Sequence, residues 1–428
     1  MADRPTKQTT AAREEVWTEQ VAALARLEPA ASAEETADRL CRALTGLRGI
    51  EAAVFVGLAA TDRATVLASS ARGHAHLGLD QPLPVELAAR LRDRLDDGPW
   101  VGPWEIARGP RDRRRPIVPE PTAMAVLPVR NGSRAVGALI VGATGGDGIP
   151  RLADRLPGLE SFAALGSALL GAELAARAQR DLVEGAVAGV LAQRAFAPVF
   201  QPVVALESGL IVGYEALTRF RDGVRPERRF AEATSVGRGV DLEVACVEAA
   251  LDDASALQAT PWLSLNVSPA TVLEGGRLRR LLARAARDVV IEVSEHQPID
   301  DYPAFRTAFR SLGREVRLAV DDAGAGFATF RHLARLRPDF VKIDMGLVHG
   351  IERDPARQAL VAGLVHFAAA GGSTLIAEGI ETPEEHGALR ELEVALGQGF
   401  LLGRPGPVAS LAGVGSTRPD GGSFAGLA

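Results

Sequence analysis

The sequence predicts two folded units of different class: an α+β domain over residues 16–176 and an α/β barrel over 195–410, joined by a long helix over 158–194. Three observations carry this. Asn131-Gly132 lies between two apolar runs, 123–129 and 135–141, the mark of a tight hairpin. From Phe162 to Val190, apolar residues recur at alternating spacings of three and four. After Phe200, short apolar runs alternate with helical stretches, mostly at intervals of roughly 23 to 34 residues, the rhythm of repeated βα units.

Taken in order, residues 1–15 are polar, and 16–48 place apolar side chains at helical spacing. Strand-like runs follow at 52–58 and 64–70, then an amphipathic helix at 84–95 and a loop rich in Arg and Pro at 107–121. The hairpin completes the first domain. In the long helix Phe162, Leu165, Leu169, Ala172, Ala176, Val183 and Val190 share one seam. That seam suits a two-stranded coiled coil joining domains, and equally a helix whose first half packs on its own domain and whose second half connects. The runs of the second unit are 199–206, 211–217, 262–266, 289–292, 316–322, 340–344, 374–378 and 397–402, eight strands that fit a barrel. Residues 411–428 are rich in Gly and Ser without apolar period and read as a flexible tail.

Composition narrows the function. With 47% hydrophobic and 24% charged residues the chain has the balance of soluble globular domains. Its formal charge of −6 provides no large basic surface, so nucleic acid polymers are not expected partners. No uninterrupted apolar run reaches the roughly 18 residues of a membrane span, so no membrane is expected and the protein reads as cytoplasmic. Cys41 and Cys246 lie far apart in helical segments, which excludes a disulfide framework or a cysteine zinc site.

Two rare residues stand out. Lys7 and Lys342 are the sole lysines, and Asn131 and Asn266 the sole asparagines. Asn131 belongs to the hairpin, whereas Asn266 and Lys342 end strand-like runs, and a buried lysine acts as a compact point charge where arginine cannot. Near the carboxyl ends of the same set of runs stand Glu215, Glu292, Asp321, Asp322 and Glu378. A parallel barrel gathers such positions at one rim. So many carboxylates repel one another unless a cation sits among them, and oxygen donors without His or Cys select hard ions, Mg²⁺ or Mn²⁺, with Ca²⁺ as a competitor. A pair of such ions about 3.5–4 Å apart is a standard device for phosphoester hydrolysis. Arg219 offers a fork for a phosphate, and Gln398-Gly399-Phe400, opening the last strand, offers an amide and a ring to a base. Gly324 and Gly326 mark a loop beside the site.

The segment Tyr214-Glu215-Ala216-Leu217-Thr218-Arg219-Phe220 resembles the signature of the EAL family of cyclic di-GMP phosphodiesterases. The resemblance continues, in the family's order, through Phe200-Gln201-Pro202, Asn266-Val267-Ser268, Glu292-Val293-Ser294-Glu295, Asp321-Asp322, Lys342-Ile343-Asp344, Ala377-Glu378-Gly379-Ile380-Glu381-Thr382 and Gln398-Gly399-Phe400. It implies a modified (β/α)₈ TIM barrel whose first strand runs antiparallel to the rest. It further implies that Glu215, Asn266, Glu292 and Asp321 ligate one metal, and that Asp321 bridges to a second held by Asp322 and, directly or through water, by Glu378. Lys342 matches a lysine that contacts the attacking water. Glu295 matches a residue that steadies the loop after Asp322 and links the site to a dimer interface. Gln201, Leu217, Arg219 and Gln398 match substrate contacts. Two-metal hydrolysis of cyclic di-GMP to linear pGpG, with Mg²⁺ or Mn²⁺ and with Ca²⁺ inhibitory, is the implied activity, in a homodimer.

The resemblance has departures: Ala323 stands in place of the family's usual phenylalanine, and Phe220 and Phe327 stand where tryptophan and tyrosine are frequent. No cyclase signature occurs. A catalytically silent receptor for cyclic di-GMP, or a protein-binding module, is the alternative. An unrelated barrel lyase or enolase-like enzyme with Lys342 as base explains the carboxylates but not Gln201 and Arg219. Residues 21–176 resemble a GAF sensor domain, through the opening helix, the runs 53–58 and 66–72, and the hairpin 124–141. That fold takes many ligands, and Cys41, His74, His76 and Arg111, Arg113, Arg114 and Arg115 point to none in particular.

Overall fold

The computed structural model describes residues 21–59, 63–71, 83, 85–104, 121–257, 261–294, 297–323 and 329–411. The chain divides into two compact units, Met1–Gly185 and Ala186–Ala428.

The first unit is a five-stranded antiparallel sheet in the order β2-β1-β5-β4-β3, with β1 Ala52–Leu58, β2 Ala64–Ala71, β3 Trp100–Pro103, β4 Ala123–Asn131 and β5 Arg134–Ala143. Away from the hairpin end its central strands are apolar on both faces, because both faces are covered. Phe55, Leu127 and Leu139 face helix α1 (Ala33–Gly46), which starts at Ser32, whose Oγ accepts the Glu35 N–H. Val54, Val126 and Ile140 face Leu87, Leu91 and Leu95 of helix α2 (Val85–Leu95). The hairpin forms between β4 and β5, but Asn131 keeps strand geometry and pairs with Arg134; Gly132 alone supplies the positive φ, +62°. Strand β3 was not evident in the sequence.

Helix α3 runs Gly148–Ala192, ten residues earlier than its apolar seam implied. Pro157 lies inside it, and burial of Leu152, Leu159 and Phe162 on either side offsets the hydrogen bond that proline omits. Leu170 and Leu174 continue the same buried stripe, so the first half packs on its own domain. The seam breaks there: Ala172 and Ala176 are exposed, and from Gln179 to Ala186 every residue but Val183 is exposed. Among the described residues α3 is the one helix that is long and apolar enough to cross a membrane, a test that core helices of soluble proteins also pass.

The second unit is a closed eight-stranded barrel, order β10-β11-β12-β13-β6-β7-β8-β9, wrapped by helices. Its strands are β6 Phe196–Ala205, β7 Ile211–Phe220, β8 Trp262–Asn266, β9 Val289–Ser294, β10 Val316–Ala323, β11 Phe340–Ile343, β12 Thr374–Ala377 and β13 Leu396–Gly397. β6 is antiparallel to both neighbours and the other pairs are parallel. The last strand is shorter than the run 397–402: after Gly397 the chain turns, because Gly399 lies so close to the Ile380 backbone that a Cβ would collide with it, and Leu401 N–H bonds to Ile380 O. Leu411 ends a helical turn, Val408–Leu411. Side chains of one parity, among them Leu265, Ile291, Val320, Val341 and Leu375, pack outward against the helices. The other parity faces the barrel axis.

Candidate active site at the barrel mouth

Inside the barrel lies an apolar plug of Val203, Trp262, Val290, Ala319, Phe340 and Ile376, with Leu396 against it. Because a strand alternates faces, the next inward residue on each strand is two positions further toward the mouth. That step leads from Trp262 to Ser264 and Asn266, from Val290 to Glu292, from Ala319 to Asp321, from Phe340 to Lys342, from Ile376 to Glu378 and from Leu396 to Gln398. On antiparallel β6 the step runs backwards, from Val203 to Gln201. A polar layer therefore sits directly on the plug, with Glu215 completing it from β7.

Lys342 is the centre of this layer. Its ammonium, 1% exposed, lies 2.7 Å from Glu378, 2.8 Å from Glu292, 3.3 Å from Asp321 and 3.4 Å from Glu215. Glu215 is held on its other sides: Asn266 Nδ2 donates to Oε1 at 2.8 Å, and Gln398 Nε2 donates to Oε2 at 2.7 Å and to Gln201 Oε1 at 2.9 Å. Among the described residues, buried Gln398 Oε1 and Ser264 Oγ meet no hydrogen-bond partner. Ser264 was missed in the sequence, although its place between Trp262 and Asn266 on the same face would have revealed it.

The adjacent aspartates both reach the mouth because β10 is irregular. Its pairing with β11 shifts register between Val320 and Ala323, and Asp322 takes φ +62°, a left-handed conformation that aspartate tolerates better than most residues. A regular strand would turn Asp322 away from Asp321. Instead Asp321, Asp322 and Glu378 each offer a ligand atom within 4.8 Å of the others, and Ser294 Oγ donates to Asp322 Oδ2 at 3.4 Å.

Burial and crowding set the charges. Burial would raise the Glu215 carboxyl, but Lys342 and the bonds from Gln398 and Asn266 hold it below its ordinary range. At Glu292 burial dominates, aided by Glu215 and Asp321, and its carboxyl rises well above the usual value despite Lys342. Glu378 is likewise pushed up by burial and by Asp321 and Glu215, to about 8. Burial works against the Lys342 charge, and four surrounding carboxylates more than reverse it. One ammonium facing four carboxylates is the arrangement of a cation site: every donor is oxygen, and protons or added cations must balance the charge.

Other expected residues stand differently. Leu217 and Arg219 follow Glu215 on the same face of β7, Leu217 half-buried and Arg219 exposed, its guanidinium donating to Thr218 O. Phe400 is exposed in the turn and stacks on Arg404. Ala323 is fully buried in β10 beside Ile343. Glu295, Gly324, Gly326, Phe327, His74, His76, Arg111, Arg113, Arg114, Arg115 and the segments 1–15 and 412–428 lie outside the described residues. Cys41 is buried in α1, and burial pushes its thiol up, away from reactivity.

The family pattern of the EAL domain matches residues 184–405. The chain belongs to the EAL-domain family. It is 30% identical over 237 residues to cyclic di-GMP phosphodiesterase PdeL of Escherichia coli, covering 52% of this chain and 66% of that one. To the probable cyclic di-GMP phosphodiesterase PdeA of the same organism it is 32% identical over 156 residues, covering 35% of this chain and 21% of the relative. The EAL enzyme Bd1971, solved in a cAMP-bound form, shares the fold: 22% identity and a TM-score of 0.50 over 85% of this chain and 94% of that chain. The EAL domain thus occupies the second unit, and the chain spans less than two thirds of the length of these two curated relatives.

Proposed function

We propose that this EAL domain hydrolyses cyclic di-GMP to linear pGpG with the help of two divalent cations, Mg²⁺ or Mn²⁺. The observation that carries the reading is the set of four carboxylates within 3.4 Å of buried Lys342, flanked by Asp322 and Asn266 in the mouth of an EAL barrel. Glu215, Asn266, Glu292 and Asp321 would hold one cation, and Asp321, Asp322 and Glu378 the other. When bound, such ions lower the pKa of a water and neutralise charge on the phosphoryl group. The chain's own residues do the rest. Lys342, kept protonated by its neighbours, orients the attacking water and offsets developing negative charge. Gln201 and Gln398, locked to each other and to Glu215, present amides to the substrate, while Leu217 packs against it and Arg219 reaches a phosphate from the rim.

The relatives PdeL and PdeA, named as phosphodiesterases of cyclic di-GMP, support the substrate. We further read the first unit as a GAF-like sensor that regulates the barrel through α3, the assembly as a homodimer and the location as cytoplasmic, where Cys41 and Cys246 remain buried free thiols.

The full chain incubated with cyclic di-GMP should release pGpG with Mg²⁺ or Mn²⁺ and none with EDTA, followed by chromatography. Tight binding without turnover under all metal conditions would overturn the hydrolase in favour of a receptor. A second result follows from Glu378: with its carboxyl near 8, the metal-free protein keeps a proton there at pH 7, which a cation must displace. Calorimetric Mn²⁺ titrations in two buffers of different ionisation enthalpy should show proton release at pH 7, with affinity rising as pH climbs through 8. Binding without proton release would contradict this assignment.

A further inference from the structure

Glu385, on the helix Pro383–Glu391, lies outside the site yet connects two of its loops. Its Oε2 accepts the N–H groups of Glu381 at 2.9 Å and Thr382 at 3.1 Å, in the loop after Glu378. Its Oε1 accepts the N–H of Gly350 at 3.1 Å, in the βα connection that follows Lys342, just past its helical turn Met345–Val348. The carboxylate is 5% exposed, and although burial raises it, these backbone donors hold it ionised below its ordinary range. A second link runs parallel: His349 Nε2 bonds to Gly379 O at 3.0 Å, while Arg357 donates to His349 O.

Part of this is ordinary capping, since Thr382 Oγ1 accepts the Glu385 N–H in a reciprocal box at the helix start. The bond to Gly350 is not. A cap needs only its own first turn, whereas this oxygen reaches the neighbouring βα loop. Glu378 directly follows Ala377, the last residue of β12, and Lys342 sits one residue before the end of β11, so their 2.7 Å approach depends on where the two connections after those strands lie.

We propose that Glu385 is a positioning residue: by tying the loop after Glu378 to the loop after Lys342, it fixes the spacing of that carboxylate and that ammonium, and through them the cation site. This rests on the metal-site reading above.

The test measures Mn²⁺ affinity of the full chain without substrate, by calorimetry or by the spin resonance of free Mn²⁺, beside kcat and KM. Glu385→Ala should weaken Mn²⁺ binding about tenfold, the usual effect of losing an outer support of a metal ligand, and lower kcat more than KM changes. Thr382→Val, which removes the capping oxygen but leaves all three bonds to Glu385, should keep wild-type affinity. Equal losses in the two variants would reduce Glu385 to a cap, and an unchanged affinity in Glu385→Ala would overturn the proposal. Should Glu385→Ala fail to fold, Glu385→Gln carries the test: its single acceptor oxygen serves one loop and not both, so affinity should fall by less than in the alanine variant, and wild-type affinity there would overturn the proposal. Wild-type protein that binds no Mn²⁺ would defeat the hydrolase reading itself, a result distinct from a Glu385→Ala protein that binds as well as wild type.

Discussion

Glu215→Ala should reduce the hydrolysis of cyclic di-GMP by about a thousandfold or more, the scale of removing a group that acts on transition-state charge. Glu215 is bonded by Asn266 and Gln398 and touches Lys342, so its loss removes one proposed metal ligand and frees another, Asn266, together with the substrate-facing Gln398, from their orientation. The metal-free fold should weaken only modestly: the ionised Glu215 is lost as a partner of Lys342 and the Asn266 and Gln398 amides lose their acceptor, while less crowding around Glu292 and Glu378 offsets part of that cost. Turnover, Mn²⁺ binding and thermal midpoint measured together check this. Wild-type turnover would sink the metal assignment, and a large fall in the midpoint would show Glu215 to be a structural ion-pair partner instead.

The second large effect is on stability. Lys342→Met should destabilise the metal-free protein by about 3–5 kcal/mol, the usual result of leaving buried charge without its partner. Glu215, Glu292, Asp321 and Glu378 would lose their shared cation in a layer where Lys342 is 1% exposed. The sign with pH follows. Glu292 and Glu378 already hold protons more tightly in the folded chain than in the unfolded one and would do so more strongly without the ammonium, so the deficit is smallest in acid and grows as pH rises toward 8. Added Mn²⁺ should restore much of the loss, raising the thermal midpoint more in the variant than in wild type. Turnover should fall steeply even with saturating Mn²⁺. A midpoint equal to wild type at pH 8 without metal would show that protons alone balance the cluster.

These residues were legible because the barrel makes its chemistry periodic. Once Val290, Ala319, Phe340 and Ile376 are read as inward positions, Glu292, Asp321, Lys342 and Glu378 follow two residues later, and the scarcity of lysine and asparagine draws attention to Lys342 and Asn266 without any fold at all. The antiparallel first strand came from the resemblance, and the pairing of β6 with β7 and β13 shows it. The hairpin was found from Asn131-Gly132, yet which residue carries the turn was not, because Gly132 takes the positive φ without help from Asn131. Helix α3 begins ten residues before the expected 158 because burial of Leu152 and Leu159 carries it through Pro157. The seam could not say what its residues face. Burial of Phe162, Leu170 and Leu174 beside exposed Ala172 and Ala176 settles that for the first half.

What the sequence alone determined is the class of each unit and the identity of the mouth-lining groups, because alternation and turn chemistry are local and survive as pattern. What only the tertiary structure decided is how those groups meet: Lys342 at the focus of carboxylates at the ends of four strands, Asp322 turned to the mouth by a shift in strand register, and Glu385 bonded to Gly350, 35 residues before it in the chain. Each depends on register and loop position, which are set by packing between segments distant in sequence, and no local pattern encodes such distances.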